Sequence, residues 1–362
     1  MSHIVLPGCS APELDLFRAN STLETFFREF DELTRSACLR SILVIVILYL
    51  LLNIFHLIIL TRPQMRTISV SKEMILIAAS GVVNGVTGVF KNIEEIIEHE
   101  FLCVHSYPYH FMVMAHFWLF QIVNQVILLQ IVYITFLRAA IILDVRHGIK
   151  TENLKLGMRI FIVALFAVFM VNHTIRISLQ KVQAVDEVDD ALKEDGKYCP
   201  FEKTYEIRSI AGDCLRRIML SITAVTSLLI PIFIMCVLSI FLVFELRSPS
   251  PISSTSSQSS SSSTRQSTAA RALLVFLCFY VLAQLPYAML FSVGLYNPAD
   301  FERLDEYIYT QVDIFIYVNM CLGILVYCMM SSQYRETIRS YFDVAILELE
   351  SSNSSRSGGF EV

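Results

Sequence analysis

The chain has 362 residues, of which 55% are hydrophobic and only 17% charged, with a mean hydropathy of +0.58. Soluble domains carry about 25% charged residues, so this surplus of apolar side chains excludes a water-soluble globule and points to an integral membrane protein. A formal net charge of −5 gives no basis for nucleic-acid binding.

Residues 1–36 are mixed and acid-rich, with a glycosylation sequon at Asn20, and read as an extracellular segment. No basic stretch followed by a long apolar core opens the chain, so the first span is expected to act as the insertion signal. That span is Ser41–Leu60, followed by a short basic turn containing Arg62 and Arg66. Met74–Phe90 is the second run, weaker because it is rich in Gly and Ser, residues that allow close helix approach in a bilayer. The third lies within His110–Arg146, which is apolar for longer than a membrane needs and is interrupted by Gln121, Asn124, Gln125 and Gln130. At ~1.5 Å per residue, Asn124 and Arg138 are roughly 21 Å apart along this helix.

Met158–Val171 is the fourth run, flanked by a second sequon at Asn172. An acidic loop leads to Ile218–Phe244, the fifth, with Pro231 near its middle. The serine tract of residues 247–270 can bury nothing and is expected to be disordered. Ala272–Leu295, containing Pro286, and Ile308–Met330 are the sixth and seventh runs. Each is near-continuous and of helical length, which predicts an all-α bundle of seven transmembrane helices over residues 37–342 and a cytoplasmic tail over 343–362.

Lys and Arg set the orientation. Basic residues cluster after spans one, three, five and seven, whereas 23 of the 33 acidic residues fall in the segments on the other side. The N-terminus is therefore outside and the C-terminus inside. Asn20 and Asn172 both fall outside, although Asn172 lies close to the membrane. The tail from Gln333 spaces Tyr334, Ile338, Tyr341 and Phe342 on one helical face with Arg335 and Arg339 opposite, which reads as a helix lying on the inner leaflet.

Three segments carry a family resemblance. Asn53-Ile-Phe-His-Leu-Ile-Ile-Leu-Thr-Arg-Pro-Gln-Met-Arg66, Tyr133-Ile-Thr-Phe-Leu-Arg138 and Ser331-Ser-Gln-Tyr-Arg335 together resemble the nematode serpentine chemoreceptors of class w (Srw). That family is a branch of the rhodopsin-like G-protein-coupled receptor superfamily, related to peptide receptors of the FMRFamide type. The resemblance implies a plasma-membrane receptor, in sensory cilia for some members, that binds an extracellular ligand and activates a heterotrimeric G protein. It also implies that Arg138 meets the G protein, against the plain reading of an arginine snorkelling to the inner headgroups, and that Pro231, Pro286 and Tyr327 serve activation and packing. A disulfide is implied from Cys103 to the loop between spans four and five, where Cys199 is the mid-loop candidate and Cys214 lies nearly in the membrane. The wider rhodopsin-class pattern is not kept throughout. Ser80 or Gly81 replaces an Asp, Leu137 precedes Arg138, Gln284 replaces an aromatic, and Gly323-Ile-Leu-Val-Tyr327 replaces an Asn-Pro motif.

Polar residues at membrane depth usually face the bundle interior, because unpaired polar groups in lipid are costly. The outer-half set is Gln121, Asn124, Gln125, Gln284, Tyr287, Gln311 and Asp313, and it forms the candidate ligand pocket. For the amides, interhelical hydrogen bonding is an equal reading; Asn53 reads mainly as such a packing residue. Asp313 suits a cationic ligand group, and the acidic outer face fits a basic peptide or amine better than a fatty acid or an anionic ascaroside-type pheromone; a peptide is favoured over a small odorant. The serine tract offers hydroxyls for a kinase and then arrestin, against a passive linker. The terminal Phe360-Glu361-Val362 fits weakly the pattern that PDZ domains take. No metal-ligand cluster, cofactor motif or catalytic constellation is present, so no enzyme activity is expected. A transporter or channel is the alternative class; adjacent rather than paired prolines and the lack of a repeat weigh against it.

Overall fold

The computed structural model describes residues 21–66, 71–100, 107–185, 204–209, 213–247, 260–296, 298–330 and 334–341. Among the described residues, seven helices are long and apolar enough to cross a membrane. In lipid every backbone amide must be satisfied within the segment, so long apolar runs resolve into helices.

Helix α1 runs Thr22–Leu60 and is capped by the Ser21 side chain, which accepts from the Glu24 backbone N–H at 3.2 Å. Its 39 residues extend ~58 Å, well beyond the ~30 Å hydrocarbon core. The first span therefore continues outward through residues assigned from sequence to a separate N-terminal segment. A short α2 (Pro63–Arg66) turns the chain into α3 (Ser71–Glu100). Helix α4 (Tyr107–His147) is the longest described helix at 41 residues and packs on α3 and on the helical segments Glu152–Ser178 and Ile230–Arg247. It supplies Ile127, Leu128, Ile131, Val132 and Ile134 to the main apolar core, so the stretch with the polar rung is the interior rod of the bundle.

Helix α5 spans Glu152–Ser178 and leads into an antiparallel hairpin, β1 (Gln180–Val185) with β2 (Thr204–Ser209). The pairing runs from Gln180 opposite Ser209 to Val185 opposite Thr204, and packs against α4 and α5 at the outer end. The sequence reading placed only a polar loop here.

The fifth span is composite: α6 (Asp213–Thr223), a π-helical turn over Ala224–Leu229, and α7 (Ile230–Arg247). Pro231 explains the break. Its ring crowds the carbonyl four residues back and offers no N–H, and the wider register appears in the Ile230 N–H bond to the Val225 carbonyl.

Helix α8 covers Ser260–Tyr296 and α9 Pro298–Met330. Residues 260–270, expected to be disordered, are instead the cytoplasmic extension of α8. Elongating an existing helix needs no new nucleus, and the run Thr268-Ala-Ala-Arg-Ala-Leu-Leu274 favours it. Residues 248–259 lie outside the described set. The tail helix α10 occupies residues 334–341, with Tyr334 and Thr337 buried and Arg335 and Arg339 exposed, as the expected helical face requires.

Three glycines on α3 set its distance from α1 and α9. A Cβ on Gly81 would lie 2.2 Å from Asn53 Oδ1, one on Gly85 2.9 Å from Leu50, and one on Gly88 2.5 Å from the Tyr317 hydroxyl. The Gly-rich weakness of the second span is therefore a packing feature.

Candidate functional site

Helices α3, α4, α5, α6, α8 and α9 and the π-turn enclose a cavity of about 440 Å³. Six of the seven sequence-predicted pocket residues line it: Gln121, Asn124 and Gln125 from α4, Gln284 and Tyr287 from α8, and Asp313 from α9. The three α4 residues are three and four apart, which puts them on one helical face. Gln311 is absent from the lining; its amide meets the Thr34 hydroxyl at 3.0 Å and ties α9 to α1. The π-turn contributes Ser227 and Leu228, so Pro231 acts on the cavity through the register it imposes below it.

Asp313 is not left to an incoming ligand. The Lys91 ammonium on α3 donates to Asp313 Oδ2 at 2.5 Å, and the Tyr287 hydroxyl donates to Oδ1 at 2.7 Å. Lys91 also lies 3.6 Å from Glu95 Oε1 and 5.2 Å from the centroids of Phe120 and Tyr309. One ammonium thus bridges α3, α4 and α9, with α8 joined through Tyr287. Sequence reasoning missed Lys91, because it sits one turn before the acidic run beginning at Glu94 and reads as part of a loop. The signal available was a lone lysine following an apolar run without a break.

Around this pair lie buried polar atoms without hydrogen-bond partners: Asn84 Oδ1, Glu95 Oε2, Gln125 Nε2, Ser227 Oγ and the Tyr317 hydroxyl. Each belongs to a cavity-lining residue. Such groups cost free energy while unpaired, and together they offer both donors and acceptors. Four acidic residues (Glu95, Asp305, Glu306, Asp313) and two basic ones (Lys91, Arg176) line the cavity. Among the described residues no group of three or more His, Cys, Asp or Glu side chains is placed to hold a metal.

A family model described as serpentine type 7TM GPCR chemoreceptor Srw matches residues 40–345. The chain belongs to the Srw family. No curated protein matches it. An Srw receptor is a multi-pass plasma-membrane protein, and the seven spans accord with that.

In this Srw receptor Arg138, Tyr327 and Asn53 lie away from the cavity lining. Arg138 is partly buried on α4, its Nε without a partner, and the groups acting on it electrostatically are Tyr327 and Glu73. With Leu137 in place of an acidic neighbour, the acidic group acting on Arg138 is Glu73, at the start of α3. Tyr327 stacks edge-on against His56 at 5.6 Å and Tyr334 at 6.1 Å. His56 Nδ1 and the Tyr334 hydroxyl are hydrogen-bonded at 3.1 Å, which fastens α10 to α1. Burial holds the Tyr334 phenol above its ordinary pKa, so it stays protonated. Asn53 donates to the Tyr49 carbonyl at 2.8 Å and fills the space beside Gly81, where an acidic side chain has no room. Pro286 sits within α8 between Gln284 and Tyr287, so the turn it distorts is a pocket turn.

Asn172 is buried and donates to the Met219 carbonyl at 3.2 Å and to Thr223 Oγ1 at 2.8 Å, so this sequon is a structural joint between α5 and α6. The predicted glycosylation site Asn20 and the predicted Cys103–Cys199 bridge lie outside the described residues. Cys214, at the head of α6, is not among the free cysteines.

Proposed function

We propose that this Srw chain is a receptor whose extracellular ligand occupies the cavity around Gln125 and the Lys91–Asp313 pair. Ligand binding is transmitted along α4 and α9 to a heterotrimeric G protein at the Arg138 end. The observation that carries the reading is the arrangement of one rod: α4 lines the cavity with the amide rung toward one end and carries Arg138 toward the other. The cavity volume is within the range that holds small-molecule ligands. Its lining combines twelve aromatic or apolar residues with thirteen polar or charged ones.

The acidic excess of the lining and of the outer loops supports a ligand of net positive charge, a basic peptide or amine, over an uncharged odorant. Phosphorylation of the serine tract, with arrestin as reader, and PDZ binding by Phe360-Glu361-Val362 belong to the same reading as regulatory contacts. So does N-glycosylation at Asn20.

The test is a screen of the expressed full chain against basic peptides and small odorants with a G-protein readout. Gln125→Leu and Arg138→Ala are run alongside. The expected result is a response to a peptide that Gln125→Leu weakens at the level of half-maximal concentration and that Arg138→Ala removes without loss of binding. Responses confined to neutral odorants would refute the charge preference. A full response from both variants would refute the placement.

A further inference from the structure

The cavity contains two basic side chains, and they are in different states. Lys91 is committed to Asp313 and Glu95. Arg176, near the outer end of α5, is half-buried and lines the same cavity, yet among the described residues no hydrogen bond or ion pair engages it. Its guanidinium lies over Phe117 with Cζ 5.8 Å from the ring centroid, and Asp305 is the acidic group acting on it from beyond ion-pairing range. A half-buried arginine that no ion pair engages is costly, because removing a charge from water is repaid only by close partners.

A structural role would be met by a carboxylate in bidentate contact, or by the side chain turned out to the headgroups. Neither is seen here. The chemistry that completes the site is a planar anion, for which the guanidinium fork is preorganised. The aromatic face of Phe117 holds the fork in place while leaving its edge N–H groups available.

Resting on the receptor reading above, we propose that the ligand is a short cationic peptide with a free C-terminal carboxylate, and that Arg176 is the residue that binds this carboxylate. The acidic outer face and Glu306 attract the cationic part of the ligand, and Arg176 fixes which end enters. A wholly anionic ligand is repelled before it arrives, and a wholly cationic one leaves Arg176 uncompensated. The cavity accommodates a drug-sized group, so only the terminal residues of the peptide enter it.

The test uses full-length receptor purified in detergent and matched pairs of basic short peptides that end in a carboxylate or a carboxamide. Binding is read by ligand-induced thermal stabilisation, and G-protein activation is measured separately on membranes. Charge-assisted hydrogen bonds of this kind correspond to roughly a ten- to hundredfold preference for the acid over the amide. That preference is expected in the unmodified receptor, reduced in Arg176→Lys and absent in Arg176→Gln. Surface expression of each variant is measured, and Arg176→Lys, which keeps the charge, serves if Arg176→Gln does not fold.

Three results would overturn the proposal: equal or better binding of the amide, acid preference that survives in Arg176→Gln, or binding of neither series. Acid-selective binding with no G-protein activation would instead refute the signalling reading and leave Arg176 in place. Activation by a ligand lacking a carboxylate, unchanged in Arg176→Gln, would do the reverse.

Discussion

Neutralising one member of the Lys91–Asp313 pair will destabilise the receptor more than neutralising both. The ammonium and carboxylate are 2.5 Å apart, with side-chain exposures of 17% and 5%. At an effective dielectric near 20 their gross attraction is about 6–7 kcal/mol, most of which offsets the desolvation of two buried charges. Removing one partner leaves the other charge buried without compensation, a loss of ~3–5 kcal/mol, whereas replacing both by uncharged groups of similar size is often close to neutral. Lys91→Met leaves Asp313 with only the Tyr287 hydroxyl as a partner. Asp313→Asn leaves Lys91 with Glu95 at 3.6 Å, so it should be the milder single change. The assay is thermal denaturation of purified receptor for wild type, Lys91→Met, Asp313→Asn and the double variant. Both single variants should melt several degrees lower, Lys91→Met the more so, and the double variant should recover most of the difference. Additive losses in the double variant would refute the reasoning, because they would mean that the two side chains contribute independently.

The glycine contacts on α3 predict that Gly81→Ala costs ~1–3 kcal/mol through overpacking against Asn53. Asn53→Ala in the same chain should restore part of the loss in a thermal melt. Replacing Tyr334 with Phe removes the buried hydrogen bond to His56 and should cost ~1–3 kcal/mol. Hydrogen exchange of residues 334–341 should rise more than that of the spans. Asn172→Gln should lower expression or melting temperature, since it disturbs the bonds to Met219 and Thr223. It should leave the glycosidase-sensitive mass unchanged, and a loss of glycan would refute the buried assignment.

Much of this receptor is legible in the chain as written, for a physical reason. A bilayer permits one solution to a long apolar run, the helix, so hydropathy alone gives seven spans, and the Lys and Arg asymmetry orients them. Polar residues at membrane depth turn inward, so the cavity could be assembled from Gln121, Asn124, Gln125, Gln284, Tyr287 and Asp313 without coordinates. Other features depend on which residues meet across helices, and a linear sequence does not state that. Asp313 looks like an empty counter-ion until Lys91, 222 residues away, is placed against it. Gln311 has the same polarity as its neighbours but faces α1. Asn53 is a polar residue in lipid until Gly81 makes room for it. Ser260 to Ala270 lacks the apolar surface to fold by itself and is helical as an extension of α8. Composition fixes how many helices there are and how they cross; only the tertiary structure decides which charges are already paired and which, like Arg176, are not.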